Sequence, residues 1–133
     1  RLILGVDGSK DSDAMIDVVI SRNWQKGTQI KLVTAIETLN QFELRLDVQI
    51  QKVEELQASA IEKLTKAGLE VIPTITDEDP KHFLVWLAEE WEADCIFLGA
   101  KGHRFFERFF LGSVSSSVAA QADCSVEVVR NRQ

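Results

Sequence analysis

The sequence predicts an α/β domain, a parallel sheet with helices on both faces. Two observations carry this. Short apolar runs alternate strictly with segments of helical periodicity from Leu2 to Val129, and such alternation closes by right-handed crossovers into a parallel sheet. The run Cys95 to Leu98 is apolar throughout, as a strand covered on both faces must be. There is no internal repeat, low-complexity segment or linker in the sequence, so residues 1–133 read as a single domain.

Leu2 to Val6 is the first strand, ended by Asp7-Gly8-Ser9. A helix is predicted from Asp11 to Asn23, capped by Ser9 or Asp11, with Ala14, Met15, Val18 and Val19 inward. Lys26-Gly27 turns the chain into a second strand, Gln29 to Ile36, and Leu39 to Leu44 is a connection without an assigned form. Leu46, Ile50, Val53, Ala60, Ile61 and Leu64 recur at helical spacing and predict a long helix from Asp47 to Ala67. Gly68 stands where a left-handed residue ends a helix. Leu69 to Ile75 is the third strand. Asp79-Pro80 is a side-chain cap followed by a proline at the first helical position, and the helix runs to Trp91 with Phe83, Trp86, Leu87 and Trp91 buried. After the fourth strand, Cys95 to Leu98, a glycine-punctuated loop spans Gly99 to Gly112. Ser113 is expected to cap a last helix to Ala122, and Ser125 to Val129 is the fifth strand.

Composition narrows the function. At 133 residues the chain is long enough to bury a core, about 65–70% of its unfolded surface, and no apolar run approaches the ~20 residues of a membrane span. The chain opens on a strand-like run, which reads as no secretory signal. With a net charge of −6 it is a poor binder of nucleic acid, whose phosphates need Lys and Arg. Cys95 and Cys124 lie in apolar surroundings without zinc spacing and read as two buried thiols in a reducing cytoplasm.

Ligands of open parallel sheets bind beyond the C-terminal strand ends, at the point where the strand order reverses. Two loops fall there. One is Asp7-Gly8-Ser9. The other reads GAKGHRFFERFFLGS from Gly99 to Ser113. Glycines let backbone N–H groups approach an anion, and the helix opening at Ser113 offers free N–H groups and a positive dipole end. Lys101, Arg104 and Arg108 against Glu107 give this loop +2 within a chain of −6, leaving −8 elsewhere. A basic loop in an acidic protein, too long to be a mere connection, points to an acidic ligand. The residues leave several roles open. Asp7 either accepts a ribose hydroxyl, holds a metal or caps the helix. His103 is either a phosphate contact or a solvated loop residue. Phe105, Phe106, Phe109 and Phe110 plug the loop into the core or stack on a base. Ser115, Ser116 and Ser117 have no histidine–carboxylate pair beside them in the sequence, so no nucleophile is read there.

The combination of VDGS after the first strand, Gly-two-Gly-nine-Gly-Ser after the fourth, and CSVEVVR as the last strand resembles the universal stress protein family over the whole chain. The resemblance implies a Rossmann-like, adenine nucleotide alpha hydrolase-like domain with strand order 3-2-1-4-5, and places the chain in the ATP-binding branch. By that analogy Asp7 holds the ribose or adenosine end, beside Gly5 and Val6, and the Ala35 backbone meets the adenine edge. Gly99, Gly102, Gly112, Ser113, Val114 and Ser115 cradle the phosphates, with Leu98 and His103 adjoining, and Mg or Mn is held by the phosphates. A homodimer through the edge strand, Val126 to Val129, is also implied, since an apolar edge needs a cover. Two departures are Arg104-Phe105, where the family often has small residues, and Ser125, where it has proline.

The expected function is therefore an ATP-binding, dimeric switch or adaptor in stress physiology, and not an enzyme. The alternatives are the same fold and dimer without nucleotide, an ATP pyrophosphatase-like enzyme, and a flavodoxin-like carrier. DGSKDS resembles the SGGxDS loop of the ATP pyrophosphatases, but Asp7 and Ser9 replace a serine and a glycine. In a flavodoxin-like carrier Asp7 would repel phosphate in the loop after strand one. No base for phosphoryl transfer is evident: Glu107, beside Arg108, reads as half of an ion pair.

Overall fold

The computed structural model describes residues 1–36, 45–101 and 111–132. Its elements are β1 (Leu2–Gly5), α1 (Lys10–Ser21), β2 (Gln29–Ala35), α2 (Leu46–Lys66), β3 (Glu70–Thr76), α3 (Pro80–Trp91), β4 (Cys95–Gly99), α4 (Ser113–Gln121) and β5 (Ser125–Val129). All strands pair in parallel, in the order β3-β2-β1-β4-β5, as the resemblance implies. The order reverses between β1 and β4, so the crevice at their C-terminal ends is the switch point.

The pleat of the central strands divides the core in two. Leu2 and Leu4 join Met15, Val19, Leu32, Leu64 and Phe97 beneath α1 and α2. Ile3 joins Leu84, Leu87, Ile96 and Val118 beneath α3 and α4. Full burial of such side chains contributes about 1.5–3 kcal/mol each. The bidentate pair of Arg22 and Glu127 is roughly half-exposed at both ends and belongs to a class worth about 0–1 kcal/mol. The two apolar layers, not the ion pairs, hold the sheet.

The helix ends follow the sequence signals closely. Ser9 accepts a hydrogen bond from the Ser12 N–H at 3.2 Å, and Asp79 accepts from the Lys81 N–H at 3.0 Å with Pro80 at the first helical position. Gly68 takes φ +85° and ends α2 with the Leu69 N–H on Leu64 O at 3.1 Å, a conformation a Cβ disfavours. Glu92 ends α3 at φ 54° in the same way.

Several side chains depart from the sequence reading. The buried stripe of α3 is Pro80, Leu84, Leu87 and Ala88. Trp86 is 54% exposed because it lies across the helix from Leu84, packed on half-buried Phe83 at 5.7 Å between ring centroids. Leu46 is exposed at the start of α2, and Ile16 replaces Ala14 and Val18 as a fully buried residue of α1. Both cysteines are partly, not fully, buried. Burial is still the main cause that pushes each thiol above its ordinary pKa, so neither is an activated nucleophile. Ser113 does not cap α4: Gly112 occupies that position and makes no side-chain cap bond.

One polar group sits where the pattern calls for an apolar one. Gln57 of α2 is 1% exposed. Its Nε2 lies 3.2 Å from Leu32 O, 3.1 Å from Thr34 Oγ1 and 3.2 Å from Thr74 O. Thr34 Oγ1 in turn donates to Val6 O at 2.8 Å. This chain ties α2, β1, β2 and β3 together just below the C-terminal edge. Gln57→Met keeps the volume and removes the donor. It should cost about 1–3 kcal/mol in urea unfolding; a loss under about 0.5 kcal/mol would show that the network contributes little.

Candidate functional site

The site is assembled where β1 and β4 end. Val6 extends the β1–β2 ladder through its N–H to Val33 O at 2.9 Å. Asp7 then turns the chain: one carboxylate oxygen accepts from the Ser9 N–H at 2.9 Å, and Gly8 takes φ 80°. Only a residue without a Cβ adopts that φ readily. The half-buried Asp7 carboxylate is held by this turn just beyond the end of β1, and Ser9 caps α1 immediately after it.

The first turn of α1 rests on the end of β4. A Cβ placed on Gly99 would lie 2.6 Å from Ser12 N and 2.7 Å from the Asp11 carbonyl carbon. Gly99 is therefore a glycine because the backbone of α1 touches it, a reason distinct from anion approach. Gly5 lower down leaves room for a side chain instead: a Cβ there would meet Leu98 Cδ2 at 2.5 Å. Leu98 is 4% exposed and belongs to the core beneath α3 and α4.

From Gly99 the chain is gripped residue by residue. The Ala100 N–H donates to Val129 O at 2.7 Å. The Lys101 N–H donates to Asp11 Oδ2 at 3.1 Å, and Lys101 O accepts from Ser9 Oγ at 3.2 Å. Ala100 O accepts from the Gly112 N–H at 2.6 Å and from Ser115 Oγ at 2.8 Å. These last two bonds close the base of the glycine loop and bring the start of α4 to the end of β4. The first backbone bond of α4 runs from the Ser116 N–H to Gly112 O at 3.0 Å. The N–H groups of Ser113, Val114 and Ser115 therefore precede the helical ladder, at its positive end.

The predicted residues distribute as follows. Asp7, Gly99, Gly112, Ser113, Val114 and Ser115 converge on the β1–β4 edge. Gly5, Val6 and Leu98 lie beneath it as packing. Ala35 ends β2 on the far side of β1, buried and in register with Thr76. Gly102, His103 and Arg104 to Phe110 lie outside the described residues. Ser115 is 2% exposed, and its hydroxyl is turned inward to Ala100 O and Gly112 O, which leaves its backbone N–H as the group a cradle can use. The sequence reading missed Asp11 and Ala100 as organisers of the loop. Asp11 was legible only as a cap candidate, and Ala100 acts wholly through its backbone.

Comparison with known proteins settles the lineage. The model of the universal stress protein family matches residues 1–130. The chain belongs to the universal stress protein family. A universal stress protein of Staphylococcus aureus strain USA300 is 30% identical over 142 residues, covering 100% of this chain and 85% of that protein. Among solved structures, hypothetical protein MJ0577 superposes with a TM-score of 0.82 at 21% identity, covering 99% of this chain and 96% of that one. The universal stress protein from Archaeoglobus fulgidus in complex with dAMP superposes with a TM-score of 0.73 at 21% identity, covering 97% and 96%. Members of the family are generally non-catalytic nucleotide-binding proteins.

The packing at Gly99 makes a direct prediction. Gly99→Ala forces α1 away from β4 and should destabilise the universal stress protein fold by about 1–3 kcal/mol, read by urea unfolding without any ligand. An unchanged unfolding midpoint would show that the close approach is not a constraint.

Proposed function

We propose that this universal stress protein binds ATP in the crevice between β1 and β4 and works in the cytoplasm as a homodimeric, nucleotide-dependent switch. The observation that carries the reading is the convergence of the Asp7 carboxylate with the closed base of the glycine loop and the leading N–H groups of α4. Backbone N–H groups at a helix start fit phosphate. A carboxylate one strand away fits a ribose hydroxyl. The dAMP carried by the A. fulgidus relative supports an adenine nucleotide in this fold. Preference for a triphosphate rests on the loop's Lys101, Arg104 and Arg108 in an otherwise acidic chain. Gly102 and His103 are assigned to the phosphates and the Ala35 backbone to the adenine edge, by analogy with the family. No group of three acidic, histidine or cysteine side chains is gathered among the described residues, so Mg or Mn would take its ligands from the phosphates.

The dimer is assigned to Val126 to Val129. β5 is at one end of the strand order, and Val126 and Val128 are only half-buried there. An exposed edge of this kind is closed by a second copy across a two-fold axis. In the bound state the protein holds and orients the nucleotide: the loop N–H groups meet phosphate charge, and Asp7 fixes the sugar. Asp7 is given to the other end of the ligand and so is not the base for a phosphate-bound water, and His103 is assigned to the phosphates as a contact.

Calorimetry with ATP, ADP, AMP and a cyclic nucleotide tests the reading. ATP should bind, Gly102→Val should weaken it at least about tenfold by placing a β-branched group at the phosphate (about 1.4 kcal/mol), and Asp7→Ala should weaken ATP more than inorganic triphosphate. ATP binding unchanged in Gly102→Val would overturn the phosphate assignment. Phosphate release should stay far below the ~10 s⁻¹ median of enzymes; turnover near that rate, abolished by Gly102→Val, would make the protein an ATPase.

A further inference from the structure

The Asp11 side chain bonds to the chain leaving both β4 and β5. Its Oδ2 accepts from the Lys101 N–H at 3.1 Å, at the entry to the glycine loop. Its Oδ1 accepts from the Asn131 N–H at 2.7 Å, two residues beyond the end of β5. The carboxylate sits in the first turn of α1, whose backbone is fixed against Gly99 and whose cap, Ser9, holds Lys101 from its carbonyl side at 3.2 Å. Lys101 is thus gripped at both backbone groups by one rigid turn, and the same turn reaches the C-terminal segment.

The geometry points to Asp11 as a positioning residue that couples the glycine loop to the segment following the edge strand. A carboxylate is rigid and planar, so its two oxygens cannot move independently. A phosphate that draws the Lys101 backbone toward the crevice rotates the carboxylate and changes its bond to Asn131. A change at Asn131 acts back on Lys101, as coupling between sites must. Loop occupancy is then reported at the end of β5, the proposed dimer edge, without Asp11 touching the ligand. The ligand in this inference rests on the nucleotide reading above, whereas the Asp11 link itself does not.

The test follows individual amides by NMR hydrogen exchange in the full chain. Asn131→Pro removes the donor from the C-terminal segment and leaves every crevice residue in place. Without nucleotide it should speed exchange of the Lys101 amide several-fold; unchanged Lys101 exchange would overturn the coupling, whether or not ATP binds. In the wild type, saturating ATP should alter exchange at both Lys101 and Asn131. In Asp11→Asn, which keeps shape but presents an amide nitrogen where one oxygen accepted, ATP should still alter Lys101 and should no longer alter Asn131. Asp11→Glu, which restores both acceptors on a longer stem, should recover part of the response, a rescue that a purely structural role at the helix start would not give. ATP binding with no response at Asn131 in the wild type, or an equal response in Asp11→Asn, would overturn the inference. Absence of any ATP binding to the wild type would instead overturn the nucleotide reading, and the Lys101 arm with Asn131→Pro would still decide the link.

Discussion

The backbone contact between α1 and the end of β4 is the constraint on which the site depends. With a Cβ at Gly99 only 2.6 Å from Ser12 N, any other residue forces the helix to shift away. With glycine there, the helix's first turn delivers Ser9 and Asp11 to Lys101, and the turn before it fixes the Asp7 carboxylate through the Ser9 N–H at the end of β1. A single missing side chain thus fixes the geometry of two loops that are more than ninety residues apart in sequence. The usual account of glycines near phosphate, close approach to the ligand, is incomplete for this position: Gly99 serves the approach of protein to protein.

The loop closure at Ala100 works in the same direction. Gly112 and Ser115 both bond to Ala100 O, so the start of α4 is set by the end of a central strand. If the start of α4 holds phosphate as proposed, this closure orders its backbone in advance, and ordering already met by the fold does not have to be met by binding. The charge pattern complements it. In sequence the loop carries a net +2 in a chain of −6, a pattern that suits the anionic ligand proposed above.

Much of this was legible in the sequence. Alternation of strand-like and helical segments, the Asp79-Pro80 start and the Gly68 stop all map onto the structure, because each is a local signal with a local cause. The strand order is not local, and it was available only through the family resemblance of VDGS and the glycine pattern. Errors arose where tertiary contact overrides a pattern. Trp86 is apolar and at helical spacing, yet α3 turns Leu84, Leu87 and Ala88 to the sheet and leaves Trp86 outside. Gln57 is polar and was passed over, yet it is buried because it satisfies acceptors on two strands. Gly112 and not Ser113 is the cap: its backbone is extended, its carbonyl accepts the first helical bond from the Ser116 N–H, and its own N–H goes to Ala100 O. The organisers of the loop, Asp11 and the Ala100 backbone, act through partners that no spacing rule brings together.

The central claim is that an adenine nucleotide binds at the β1–β4 edge on the closed base of the glycine loop. Amide chemical-shift mapping during an ATP titration tests it most directly. The account predicts the largest shifts at Asp7 to Ser9, Gly99 to Lys101 and Gly112 to Ser115, with little change along α2 or at the N-terminal ends of the strands. Saturable shifts centred on the groove between α1 and α2, lined by Ser12, Asp13, Leu56 and Lys63, with the β4–α4 amides unmoved, would contradict it.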